Sequence, residues 1–328
     1  VAVAGGAWGA GVAQLLFQVP ALAGIGLVPR PRWAPRHEGV RRIMVLMVPA
    51  LFGVSVSQIN LLLDTVLASL LPTGSVSWLY YSDRLTELPL GVFAIAIATV
   101  ILPTLSGQRA RADDPAFAST LSWAIRSVLL IAIPATAALA ILAEPLLATL
   151  FQYGAFSGDD RAMAAASLRA YTLGLGAFML VKVLAPGFYA REDMRTPVRI
   201  GIIAMVANMV LNIAFVFPLM WWLNLGHVGL ALATSVSAWL NALLLFRGLL
   251  RDAVLTDGSL PLKWLAQLGV ATAAMVSVLL WLMPEHAMWA GWLWWQRALQ
   301  LGILCGAGLG VFGMGLLCCG VRPADLRR

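Results

Sequence analysis

The sequence predicts an all-α polytopic membrane protein, and three observations predict it. The 328 residues are 61% hydrophobic and 11% charged, with a mean hydropathy of +0.87, whereas soluble domains are about half apolar and a quarter charged. The apolar residues fall in runs of about 20 or more, the length a helix needs to cross a bilayer. Basic residues gather between alternate runs. One globular core cannot hide this much apolar surface, so a soluble two-domain enzyme, a disordered chain and a disulfide-stapled fold are all excluded.

Nine spans follow in order: residues 1–28, 43–71, 75–105, 117–143, 162–187, 197–220, 227–247, 264–283 and 298–320. Each is expected to be helical, because lipid offers no partner for an unpaired backbone group and none shows the short alternation of a barrel strand. Pro49, Pro89, Pro103, Pro134, Pro186 and Pro218 lie in or beside these spans and predict kinks or breaks. Gly302, Gly306 and Gly310 in the last span, and Gly5 and Gly9 in the first, have the small-xxx-small spacing that predicts close helix packing.

The net charge of +7 is topological rather than a nucleic-acid footprint. Most of the 22 Lys and Arg fall in one alternating set of connections, which includes Arg30 to Arg42, Arg109 and Arg111, Arg191 to Arg199, Arg247 to Lys263, and Arg322 to Arg328. The opposite connections hold Arg161 and Arg297 at their edges, with no basic residue in 72–74 or 221–226. The positive-inside rule makes the basic set cytoplasmic. The first span then runs inward and the C-terminus is cytoplasmic. Trp78, Tyr80, Tyr81, Trp221, Trp222, Trp289, Trp292, Trp294 and Trp295 cluster near the outer ends, as an interfacial belt does. Val1 lies inside an apolar run with no basic segment before it. That argues against a signal peptide and is what the C-terminal part of a longer protein would show.

Ionisable groups within spans are costly, so each is a functional candidate. The third span is richest, with Ser77, Asp83, Arg84 and Glu87. Arg84 lies about 13 Å into it by helical rise. Ser77, Arg84 and Glu87 share a helix face. Two readings stand: an internal Arg84–Glu87 pair that cements helices, or a cationic group flanked by carboxylates in a wet cavity that receives an anion. The second span carries Ser57, Gln58, Asn60 and Asp64, the sixth Asn208 and Asn212, and the seventh Thr234, Ser235 and Ser237. Such residues often join helices. A buried carboxylate at Asp64, with amide and hydroxyl oxygens from Asn208, Asn212 and Thr234, equally suits a Na⁺ or H⁺ site. Arg126 and Lys182 sit nearer span ends and are expected to snorkel.

No enzyme signature is present. The chain has no Gly-rich phosphate loop, no H-E-x-x-H, no G-x-S-x-G and no Cys–His pair. Asp64 and Asp83 are the only aspartates suited to an intramembrane protease, and Asp83 adjoins Arg84. Cys305, Cys318 and Cys319 share one apolar run without redox or metal spacing. No cofactor is expected beyond a coupling Na⁺ or H⁺, and no metal centre.

Several segments carry a family resemblance: PALFGVSVSQINLLLDTVLAS (49–69), SVSWLYYSDRLTELPLGVFAIAIATVILP (75–103), LFQYGAFS (150–157), VKVLAPGFYAREDMRTPVRI (181–200) and GHVGLALATSVSAWLNALLL (226–245), with AQLLFQVPALAGIGL near the start. In these the chain resembles the MurJ (MviN) family of lipid II flippases, within the superfamily of multidrug, oligosaccharidyl-lipid and polysaccharide exporters. The resemblance implies a fourteen-helix, two-lobe transporter. Residues 1–28 would be span six, 29–42 a basic cytoplasmic linker, 43–247 the complete C-terminal lobe and 264–320 an accessory pair that holds the lipid tail.

The resemblance further implies a multi-pass protein of the bacterial inner membrane that works in peptidoglycan and cell-wall biogenesis. Its substrate would be lipid II, an undecaprenyl-pyrophosphate-linked precursor, moved by alternating access. Arg84 matches the cavity arginine of the second lobe, with Ser77 and Glu87 on cavity positions. Asp64, Asn208, Asn212 and Thr234 match the sodium-site positions of some members, although others carry Asn where Asp64 stands. The first five spans, absent from these residues, would be this portion's partner, and the portion alone is not expected to flip substrate. Two rivals stand beside this reading: a drug or cation exporter of the same superfamily, and a membrane scaffold for cell-wall enzymes that does not transport.

Overall fold

In a computed structural model, the structure describes residues 2–24, 37–255 and 261–321. Among them the fold is helical throughout, with no strand. The chain divides into two compact units, residues 1–47 and 48–328. The first contains α1 (Ala2–Gly24) and the opening turns of α2 (Glu38–Ser69). The linker expected over 29–42 lies partly outside the described residues. From Glu38 onward its residues, Arg41 and Arg42 among them, are already helical.

In the second unit α2 continues and is followed by α3 (Ser75–Pro89), a π-helical turn (Leu90–Ala94), α4 (Ile95–Ala110), α5 (Asp114–Ile141), α6 (Ala143–Leu150) and α7 (Gly158–Tyr189). Then come α8 (Arg195–Leu223), α9 (Gly226–Arg251), α10 (Leu262–Leu282), α11 (His286–Gly291) and α12 (Trp294–Cys318). Among the described residues seven helical segments are long and apolar enough to cross a membrane, the first being α3, the π turn and α4 taken together. The other two expected spans fall on α1 and α2, helices of 23 and 32 residues.

Local sequence accounts for the helix ends. Asp113 caps α5 by accepting from the Ala116 N–H, with Pro115 in the first turn where its missing N–H costs nothing. Ser157 and Asp160 form a reciprocal capping box on α7. Of the kinks or breaks expected at proline, breaks are absent at Pro103, Pro134, Pro186 and Pro218, which lie inside continuous helices. Only Pro89 coincides with a change of helix type, since the π turn begins immediately after it. A missing N–H is tolerated where packed neighbours hold the helix.

The principal core joins α4, α5, α7 and α9 through Ile101, Leu121, Ile125, Leu175, Met179 and Leu249. A second cluster holds α10 and α12 against α5 and α6 through Leu268, Met275, Trp289 and Leu304. Lipid tails are as apolar as leucine, so shape fit rather than water exclusion drives such packing. Gly174 shows this: a Cβ there would lie 2.7 Å from the Ser235 Cα, so α7 and α9 meet backbone to backbone.

The small-residue expectation for the last span is corrected. Gly302, Gly306 and Gly310 have open space where a side chain would go. The residues that meet α10 are Gly308, against Leu279, and Gly315, against the Ala271 backbone. In the first span Gly9 also faces open space, while the side-chain position of Gly5 lies outside the described residues.

The aromatic belt divides too. Trp221, Trp222, Trp294 and Trp295 are exposed, whereas Trp289 is fully buried in the α10–α12 core. Cys305 and Cys318 are exposed and unpaired.

Candidate functional site

The site begins with how α3 is held. Gly74 precedes it at φ +104°, and the Trp78 ring folds over it so closely that a Cβ would fall 2.6 Å from a ring carbon. Only glycine meets both demands. Trp78 Nε1 donates to Asp160 Oδ1 at 2.8 Å, and the Ser82 hydroxyl donates to the Ala164 carbonyl at 2.7 Å. These bonds press Leu79, Ser82 and Leu85 against α7. The opposite face of α3 is thereby turned into a cavity of about 1230 Å³ lined by α2, α3, α4, α7, α8 and α9.

Tyr80, Asp83, Arg84 and Glu87 line that cavity. Arg84 and Glu87 form an ion pair with both side chains about half exposed, and the Arg84 Cζ lies 4.9 Å above the centre of the Tyr80 ring. The pair is too exposed to add much stability. It suits the reading in which the guanidinium faces a wet cavity better than the reading of buried cement. Ser77 is exposed on α3 and is not part of the cavity lining.

The Asp64 cluster forms a second centre on the same cavity. Asn212 Nδ2 donates to Asp64 Oδ1 at 2.7 Å and Asn60 Nδ2 to Asp64 Oδ2 at 3.3 Å. The Thr234 hydroxyl accepts from Asn208 Nδ2 at 3.4 Å and donates to the Leu230 carbonyl. Asn208 and Asn212 are buried. In one orientation Asn208 accepts from Asn212 Nδ2 at 3.1 Å. With its amide turned, its nitrogen donates to Asp64 Oδ1 and Asn60 Oδ1 at 3.3 and 3.1 Å, and its oxygen accepts from the Thr234 N–H at 3.2 Å.

Asn60, Asp64, Asn208 and Thr234 line the cavity, while Asn212 sits behind them. Asn212 Oδ1 is buried with no hydrogen-bond partner among the described residues. A carboxylate, amide oxygens and a hydroxyl, one oxygen left over, are the donors a hard cation takes. The side chain of Ser57, the other polar group of that stripe, lies outside the described residues, and Gln58 is exposed away from the cluster. Ser235 leaves the stripe: it donates to the Ala170 carbonyl at 2.8 Å in the α7–α9 contact.

Some residues that matter here were not singled out by sequence reasoning, or were placed elsewhere. Lys182, expected to snorkel, lines the cavity together with Tyr171, Tyr189 and Asn241. Tyr80 had a legible signal, since it precedes Arg84 by one helical turn. Arg169, mid-span in α7, bonds the Ala140 carbonyl and Glu144 where the chain breaks between α5 and α6. Arg297, read as an edge residue, is buried and donates to the Ala148 carbonyl at 2.9 Å, tying α12 to α6.

Comparison with known proteins gives the family. The family model for lipid II flippase MurJ matches residues 1–295. A probable lipid II flippase MurJ of Vibrio cholerae is 50% identical over 327 residues, which is 100% of this chain and 61% of the relative. Its counterpart in Haemophilus influenzae is 47% identical over 332 residues, 99% of this chain and 64% of the relative. The chain thus spans less than two thirds of the length of either. Among solved structures, a lipid II flippase MurJ in an inward closed conformation is similar over 89% of this chain and 57% of its own, at TM-score 0.67 and 24% identity. A mutant MATE protein is similar over 89% and 68%, at TM-score 0.58 and 17% identity, and shows the shared fold alone. By its family model and these relatives, the chain belongs to the lipid II flippase MurJ family.

Proposed function

We propose that this chain is the C-terminal lobe and accessory helix pair of a lipid II flippase that moves the undecaprenyl-pyrophosphate-linked precursor from the inner to the outer leaflet of the bacterial cytoplasmic membrane. The observation that carries the reading is Arg84: a half-exposed guanidinium on the wall of a cavity large enough for a headgroup. Guanidinium suits the bidentate recognition of phosphate and carboxylate. Lys182 adds a second cation to the lining. On the family's fourteen-helix plan, the relatives' greater length would supply five further spans, which with residues 1–28 make the opposing lobe. Orientation follows from charge: the basic connections face the cytoplasm, as does the C-terminus.

The lobes would rock between inward- and outward-open states, with Arg84 holding the anionic headgroup in the occluded passage. A cation held by Asp64, Asn208, Asn212 and Thr234 would join α2 to α8 and α9 and bias one state. It does so only by binding that state more tightly. Asn60, which donates to Asp64, steadies the carboxylate for this role.

Export of a drug or cation is the second reading, favoured by a specific observation: Asp64, Asp83 and Glu87 outnumber Arg84 and Lys182 on the lining. Complementation separates the two. In a strain depleted of its own flippase, the full-length protein with Arg84→Ala is expected to lose growth while reaching the membrane at normal level. Normal growth with Arg84→Ala, or rescue by a scaffold-only variant without transport, would overturn the flippase reading.

A further inference from the structure

We propose that Tyr80 is a positioning residue for substrate binding, a fixed aromatic plate on which the Arg84 guanidinium lies so that its N–H edge is presented to an anionic headgroup. The inference rests on the reading of Arg84 as the substrate's cationic contact.

Tyr80 stands one helical turn before Arg84, and Glu87 follows three residues later, so all three share one face of α3. All three line the cavity. The guanidinium carbon sits 4.9 Å over the Tyr80 ring centre, inside the range of cation–π attraction. Glu87 engages Nη1. A cation–π contact of this kind consumes none of the guanidinium's N–H donors. The group is therefore held from below by the ring and at one corner by the carboxylate, with its remaining edge available for a planar two-point contact.

The plate is itself anchored. Tyr80 packs edge-on against Tyr81, with ring centres 5.9 Å apart. Tyr81 in turn packs on Phe151 at 4.7 Å and edge-on against Phe156 at 5.3 Å. These two phenylalanines belong to the α6–α7 connection, so an aromatic relay fixes the Tyr80 ring to a part of the lobe outside α3. A long, flexible arginine would otherwise spend rotamer entropy on every binding event. Tyr80 is more than half exposed, so its ring is not needed to fill a core.

The test is the Kd of purified, full-length protein for lipid II, with translocation as a second readout. Tyr80→Phe, which keeps the ring, is expected to bind within about twofold of the parent, and Tyr80→Leu or Tyr80→Met to bind about fivefold more weakly. In an Arg84→Ala background the Tyr80→Leu change is expected to shift Kd by less than about twofold, because the ring acts through the guanidinium. Equal loss from Tyr80→Phe and Tyr80→Leu, or the same Tyr80→Leu penalty with and without Arg84, would overturn the proposal. So would normal binding by Tyr80→Leu where Arg84→Ala fails, which leaves the flippase reading intact. Normal binding by Arg84→Ala would instead remove the reading on which the proposal rests.

Discussion

At the scale of single residues, two polar centres, one around Arg84 and one around Asp64, line one cavity. Asp64 is a carboxylate held by two amide donors, beside a buried amide oxygen of Asn212 that has no partner among the described residues. If that oxygen set holds a cation, Na⁺ should raise the melting temperature of the full-length protein, and Asp64→Ala should abolish the rise. A Na⁺ effect that survives Asp64→Ala would place the ion elsewhere. Asn212→Leu removes the short bond to Asp64 and should cost about 1–3 kcal/mol, read as a lower melting temperature. Gly74→Ala forces a side chain into left-handed backbone against Trp78. It should cost about 1–3 kcal/mol and loosen α3 from α7. Asp64, Arg84 and Glu87 were legible because a charge inside an apolar run stands out. Lys182 and Tyr80 were less so, because a lysine near a span end and one tyrosine in an aromatic belt each have an ordinary explanation.

At the scale of elements, long helices were plain from hydropathy, and their breaks were not. Four prolines suggested interruptions that packing absorbs. The π turn at Leu90–Ala94 and the short α6 leave no hydropathy mark. The glycines of α12 make the same point. Spacing selected Gly302, Gly306 and Gly310, while the face that meets α10 is set by how the pair docks on α5 and α6, and it uses Gly308 and Gly315. Gly315→Leu should therefore destabilise the α10–α12 pair by about 1–3 kcal/mol, whereas Gly306→Leu should be nearly neutral. Thermal unfolding of the two variants checks this, and equal effects would contradict the packing described.

At the scale of the whole molecule, composition predicted the membrane helices that the structure shows, because it is a sum over many residues, and charge sorting is the basis of the orientation proposed above. The cavity was not legible: it exists only once α2, α3, α4, α7, α8 and α9 are brought together. Orientation has its own check. After replacement of the three native cysteines, a single cysteine at Asn224 should react with an impermeant maleimide added outside intact cells, and one at Glu192 should not; the reverse would invert the topology. The central claim is that this lobe presents Arg84 to an anionic lipid-linked substrate. It is tested most directly by lipid II translocation in vesicles reconstituted with the full-length protein. Arg84→Ala, at equal levels of folded protein, should reduce translocation at least about tenfold, as expected for loss of a charge-assisted contact. Translocation at the parent rate would contradict the account.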